Sequence, residues 1–284
     1  MKFGLLASFI IISFLNTVNA EEFNPVQSDQ FVASYAPAVN GKTNYGILVL
    51  GGSGGKIPTH LAKKFTSQGH SVMALAYFKE KGLPAELNDI PLEYFEQAKK
   101  WLMAQNETRN DGIILVGWSK GAELSLLLAS RDKSVKKLVA IAPSSHVWAG
   151  ILTDWTKTPS SSWTMAGKAL DHIKFQPDAT VRSLRDLYQV SFNKAENIDQ
   201  ARIKVENIMG SVLLFSGGKD TIWPASTMAA AVCDTMVKAG KNCVHHDYPD
   251  AGHLLDAQYI MGGTKETNAS ASEASAKIIR DYLK

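Results

Sequence analysis

Ile113-Ile114-Leu115-Val116-Gly117-Trp118-Ser119-Lys120-Gly121-Ala122-Glu123-Leu124-Ser125-Leu126-Leu127-Leu128-Ala129 reads as a buried strand, a sharp turn and a helix. The four apolar residues that open it suit a strand covered on both faces, and the Leu/Ala-rich end suits a helix. Gly117-Trp118-Ser119-Lys120-Gly121 between them has the Gly-x-Ser-x-Gly form of a nucleophile elbow, whose serine stands above the carboxyl edge of a sheet. So tight a turn forces the serine into strained backbone angles. Side chains two residues to either side would strike the neighbouring strand and helix, so glycine is required at both places.

The same alternation extends along the chain. Gly46–Leu50, Ser71–Ala76, Gly112–Val116, Lys137–Ile141, Val212–Phe215 and Cys243–Tyr248 read as strands. Thr59–Gln68, Leu92–Ala104, Ser119–Ser130, Ala225–Ala239 and Ser270–Leu283 read as helices. This β-α-β repetition predicts an α/β fold with a mostly parallel, doubly wound sheet, whose ligands bind at the carboxyl ends of the strands. One stretch, residues 144–202, shows no strand and is expected to form a lid insertion. Trp148, Trp155 and Trp163 lie in it, Trp118 precedes the serine and Trp223 follows Asp220. Trp118, Trp148, Trp163 and Trp223 are therefore candidates for an apolar acyl-binding pocket, with core packing the other reading of each.

A serine hydroxyl needs a base to take its proton. In folds of this kind the partners follow in the order Ser, acid, His. Asp220 lies just past the strand ending at Phe215, where an orienting carboxylate belongs, although an aspartate there can also cap the helix beginning near Pro224. His253 lies in the loop Asp250-Ala251-Gly252-His253 after the last strand and is expected to serve as general base and then general acid. His245 and His246 point to opposite faces of their strand, and His146 is a candidate for touching substrate from the insertion. An oxyanion needs amide donors. One is expected from Lys120 and the other from Gly51-Gly52-Ser53-Gly54-Gly55, with Ser53 first and Gly52 second. This loop lacks the Gly-Lys-Ser/Thr ending of a phosphate-binding loop. The Lys120 side chain is expected to be solvated or ion-paired rather than a reagent.

The chain opens Met1-Lys2, runs apolar from Phe3 to Leu15 and reaches Val18-Asn19-Ala20. That is the form of a secretory signal peptide cleaved after Ala20, an uncleaved anchor being the other reading. Residues 21–284 are long enough for one large catalytic domain, and no later stretch reaches membrane-spanning length. A formal charge of +3 without a Lys/Arg block gives no footprint for nucleic acid. Cys233 and Cys243 either pair or remain buried thiols, and no Cys/His set completes a metal site. Asn106-Glu107-Thr108 and Asn268-Ala269-Ser270 match glycosylation sequons.

Leu50–Gly55, Gly117–Glu123, Ala142-Pro143-Ser144-Ser145, Ser161-Ser162-Trp163, Ser216–Pro224, Tyr248–Leu254 and Gly262-Gly263-Thr264 together resemble one family. It is the C-terminal catalytic domain of acyl-CoA thioesterases and bile acid-CoA:amino acid N-acyltransferases, within the α/β-hydrolase superfamily. The resemblance implies Ser119, Asp220 and His253 as the triad, acting without metal or organic cofactor. The family's amino-acid transferase uses cysteine as nucleophile, so serine favours hydrolysis. The expected protein is an exported serine hydrolase acting on small-molecule acyl thioesters or esters. Transfer to an amine or alcohol, and a binding protein without turnover, are the competing readings.

Overall fold

The computed structural model describes residues 22–38, 44–66 and 68–284, so the predicted signal peptide lies outside the described residues. The chain forms, in order, β1 (Asn24–Pro25), β2 (Val32–Ala36), β3 (Gly46–Leu50), α1 (Thr59–Thr66), β4 (Val72–Ala76), β5 (Ile90–Pro91) and α2 (Glu93–Met103). Then follow β6 (Ile113–Trp118), α3 (Lys120–Ala129), β7 (Val135–Ile141), β8 (Trp163–Met165), β9 (Lys168–Ala169), α4 (Leu184–Lys194) and α5 (Ile198–Ala201). β10 (Ser211–Gly217), α6 (Ala225–Lys238), β11 (Cys243–Tyr248) and α7 (Lys265–Leu283) complete it.

The main sheet runs β1-β2-β4-β3-β6-β7-β10-β11, parallel from β4 onward, with β1 and β2 added antiparallel at one edge. Its central strands alternate between two buried layers, as the period of two requires. Leu48, Leu50, Leu115, Leu138 and Leu214 pack on the side of α2, α3 and α6. Ile47, Val49, Val116, Val139 and Phe215 pack with Phe65 of α1 and Ile279 of α7 on the other. Both faces are covered, which is why these strands are continuously apolar. Among the described residues no helix is long and apolar enough to cross a membrane.

Two expectations change, and one left open is decided. α7 begins five residues before the expected Ser270, because Thr264 caps it and exchanges hydrogen bonds with Thr267. The insertion does contain strands: β8 pairs with β5 and β9 in a small second sheet, in pieces of two or three residues too short to leave a pattern. Cys233 on α6 and Cys243 on β11 form a disulfide, with Cα atoms 5.2 Å apart.

The insertion is packed into the body of the protein. Trp148 and Trp163 are wholly buried. Trp163 Nε1 donates to Glu123 Oε1 of α3 at 2.7 Å, and the Trp148 amide donates to the same oxygen at 3.3 Å. Both Glu123 oxygens also accept from Lys120 Nζ at 2.7 Å. Burial pulls Lys120 below its ordinary range and pushes Glu123 above its own, and their mutual charge opposes both shifts. The ion-paired reading of Lys120 therefore holds, and the solvated one does not.

Candidate active site

β6 delivers Ser119 at its carboxyl end with φ 56° and ψ −121°, the strained elbow that the motif requires. A Cβ on Gly117 would drive into the Gly121 carbonyl, and one on Gly121 into the carbonyls of Leu50 and Gly51. The Ser119 amide donates to the Ile141 carbonyl of β7 at 2.9 Å, which ties the turn to the sheet.

The loop after β11 brings His253 beside it. His253 Nε2 lies 2.8 Å from Ser119 Oγ, and His253 Nδ1 lies 2.6 Å from Asp220 Oδ2. All three side chains are buried. Asp220 Oδ1 accepts from the amides of Ile222 at 2.7 Å and Trp223 at 3.2 Å. Asp220 does not cap α6, which has no side-chain cap: one oxygen holds the turn before that helix and the other faces the imidazole. Two residues with no part in the site as read from the sequence fix these loops. Arg185 Nη1 of α4 donates to the carbonyls of Asp220 and Trp223. Asn268 of α7 accepts from the Gly252 amide at 2.7 Å and donates to the Gly262 carbonyl at 3.0 Å. Asn268 is buried, so the residue read as a sequon is engaged inside the fold. Only its place near Gly262-Gly263-Thr264 hinted at this.

The glycine loop closes another side. A Cβ on Gly52 would come within 3.1 Å of Ser119 Cβ, so loop and nucleophile are in close contact, and Ser53 lines the same pocket. Tyr77 Oη donates to the Gly51 carbonyl and holds the loop from below. The Lys120 amide opens α3, where a helix has no acceptor of its own.

The pocket above Ser119 encloses about 310 Å³ and is lined by the glycine loop, Leu61, Trp118, Leu184, Ile222 and Tyr259, with His253 at its base. Of the four candidate tryptophans, Trp118 alone lines it. Trp148 and Trp163 are corrected to core residues: the first donates to Ser144 Oγ and packs on Tyr188, and the second is held by Glu123. Trp223 is buried edge-on to the His253 ring at 5.7 Å and supports the imidazole from the side. Leu184 and Tyr259 are pocket residues that the sequence reading missed, since isolated apolar residues on a surface helix and loop carry no pattern.

His146 is corrected as well. It is buried, bonded through Nδ1 to Ser145 Oγ at 2.8 Å and set edge-on to Phe192, away from the pocket. Burial, aided by the charge of Arg202, pushes its pKa down to about 4. The unfolded chain therefore binds this proton more readily than the folded one. The stability due to neutral His146 is full above pH 6.5 and is lost as pH falls towards 4, by up to roughly 3 kcal/mol. His146→Gln should flatten the slope of unfolding free energy against pH in that window, measured by urea titration. An unchanged slope would assign the effect elsewhere.

Residues 90–274 match the family model described as BAAT / Acyl-CoA thioester hydrolase C terminal. The chain is 30% identical to human acyl-coenzyme A thioesterase 1 over 221 residues, 76% of this chain and 50% of that protein. It is 29% identical to mouse acyl-coenzyme A amino acid N-acyltransferase 1 over 258 residues, 84% of this chain and 59% of that protein. It thus spans about half the length of the curated relatives it matches. Among solved structures, a sugar hydrolase from Lactococcus lactis superposes with a TM-score of 0.61 at 16% identity, covering 92% of this chain and 97% of that one. A putative dienelactone hydrolase from Klebsiella pneumoniae gives 0.53 at 15%, covering 86% and 90%. At such identity these two speak for the fold alone. With the family model covering more than half of its length, the chain belongs to the BAAT / acyl-CoA thioester hydrolase C-terminal family, on an α/β-hydrolase fold.

Proposed function

We propose that this protein is an exported serine hydrolase that cleaves acyl thioesters or carboxylic esters through an acyl-enzyme on Ser119. The observation that carries this reading is the hydrogen-bonded line Ser119 Oγ, His253, Asp220, with spacings of 2.8 and 2.6 Å, at the base of a largely apolar pocket. Ser119 Oγ attacks the acyl carbonyl while His253 Nε2 takes its proton. Asp220 keeps the Nδ1–H tautomer in place and stabilises the imidazolium. The amides of Lys120 and of Ser53 or Gly52 meet the oxyanion. Collapse expels the thiol or alcohol, which leaves with the proton from His253. Water activated by the same imidazole then releases the acid.

The proposed organisation is a signal peptide over residues 1–20 and a catalytic domain over 21–284. The Cys233–Cys243 disulfide supports export, because such bonds persist in oxidising compartments. The match to an N-acyltransferase keeps transfer to an amine in view, and a free serine ester favours water over that route.

The test is kcat/KM on an acyl-CoA and an oxyester of matched chain length, with Ser119→Ala as control. Activity on either ester that falls by roughly 10⁴ or more in the variant supports the reading. Equal residual activity in both proteins would sink it. An amide product formed when glycine is added would favour the transferase instead.

A further inference from the structure

Three large apolar side chains stand out of the surface at the opening of the pocket above Ser119. Leu184, at the start of α4, is 38% exposed. Tyr259 and Ile260, in the loop between His253 and α7, are 52% and 53% exposed. Leu184 and Tyr259 line the pocket. Ile260 sits between Tyr259 and Met261, both lining residues, and does not line the pocket itself. Side chains of this size leave apolar area in water, and grouped at one opening they mark a contact surface.

Basic residues border the same opening. Lys56 follows Gly55 of the glycine loop. Lys79 lies against that glycine, where an added Cβ would come within 2.8 Å of Lys79 Cβ. Lys64 of α1 stands 4.0 Å from Asp256, which also lines the pocket, and Arg182 is two residues before Leu184. All four are exposed. Asp256 partly offsets Lys64, and Asp186 lies near Arg182, accepting from its amide at 3.0 Å. Among the described residues no carboxylate pairs with Lys56 or Lys79, which carry the surplus charge.

We infer that this rim seats the protein on an anionic phospholipid bilayer, with the mouth of the pocket against the lipid. A second copy of the chain is the other occupant to weigh. It would bring the same lysines face to face across a two-fold axis, and like charges so placed repel. An anionic headgroup layer attracts them instead. Leu184 and Ile260 then enter the boundary between headgroups and acyl chains, while the Tyr259 hydroxyl stays among the headgroups. The inference does not depend on the hydrolase reading, because docking asks nothing of Ser119.

The test is co-sedimentation of the full chain with vesicles of phosphatidylcholine alone and of equal parts phosphatidylcholine and phosphatidylglycerol. The apolar residues 3–15 can bind lipid by themselves, so the comparison of wild type with rim variants carries the result. Wild type should prefer the mixed vesicles and lose that preference as salt is added. Ile260→Asp should weaken binding to them by roughly tenfold or more. Lys56→Gln and Lys79→Gln should each weaken it by roughly fivefold. Ser119→Ala should bind as wild type does, so loss of catalysis and loss of docking are read separately. Equal binding by wild type and Ile260→Asp would overturn the inference. So would self-association without lipid that Ile260→Asp abolishes, which would assign the face to a second copy. Should the variants fail to fold, hydrogen exchange of the wild type with and without mixed vesicles decides. Protection of residues 182–184 and 257–261 supports the inference, and protection confined to other segments, or none, overturns it.

Discussion

Asp220→Asn will lower kcat by roughly 10⁴ with little loss of stability. The reason lies in the two oxygens of this carboxylate. Oδ1 accepts from the Ile222 and Trp223 amides, so an asparagine must keep its own oxygen on that side. Its NH₂ group then faces His253 Nδ1, where Asp220 Oδ2 now stands at 2.6 Å. Two donors cannot share that contact, so the imidazole turns to the tautomer with its proton on Nε2. Nε2 then donates towards Ser119 Oγ and can no longer accept its proton. Measured kcat and the rate of fluorophosphonate labelling at Ser119 should fall together. A decrease of less than about tenfold in both would remove Asp220 from the mechanism.

The largest stability effect is expected at Glu123. Glu123→Ala leaves the Lys120 ammonium wholly buried without an acceptor and orphans the Trp163 indole N–H. Breaking a buried pair from one side costs about 3–5 kcal/mol, whereas replacing both partners by apolar residues of similar volume is often close to neutral. Urea unfolding should therefore show Lys120→Met/Glu123→Leu well above Glu123→Ala. If the single variant loses under about 1 kcal/mol, Lys120 is shedding its proton and the charged pair does not hold the insertion.

Much of the sheet, and the three side chains that the structure brings together at Ser119, were legible in the sequence. Buried parallel strands are long apolar runs, and the elbow demands glycines that leave a fixed spacing around Ser119. Asp220 and His253 were found because each closely follows a strand at the edge where such sheets bind ligands. The tryptophans were misjudged because proximity in sequence says nothing about which way an indole faces. Trp163 points towards a buried carboxylate, and Trp118 lines the pocket. Arg185 and Asn268 escaped notice for a different reason. Arg185 acts on the Asp220 carbonyl 35 residues away and Asn268 on the Gly252 amide 16 residues away, and contacts of that kind leave no local periodicity.

Leu184 and Arg185 are neighbours at the start of α4, and they do different things. Leu184 lines the pocket, while Arg185 grips the carbonyl of Asp220. One turn of helix therefore borders both the pocket and the loop that carries Asp220, so a substrate seated against Leu184 would bear on the same turn that holds that loop.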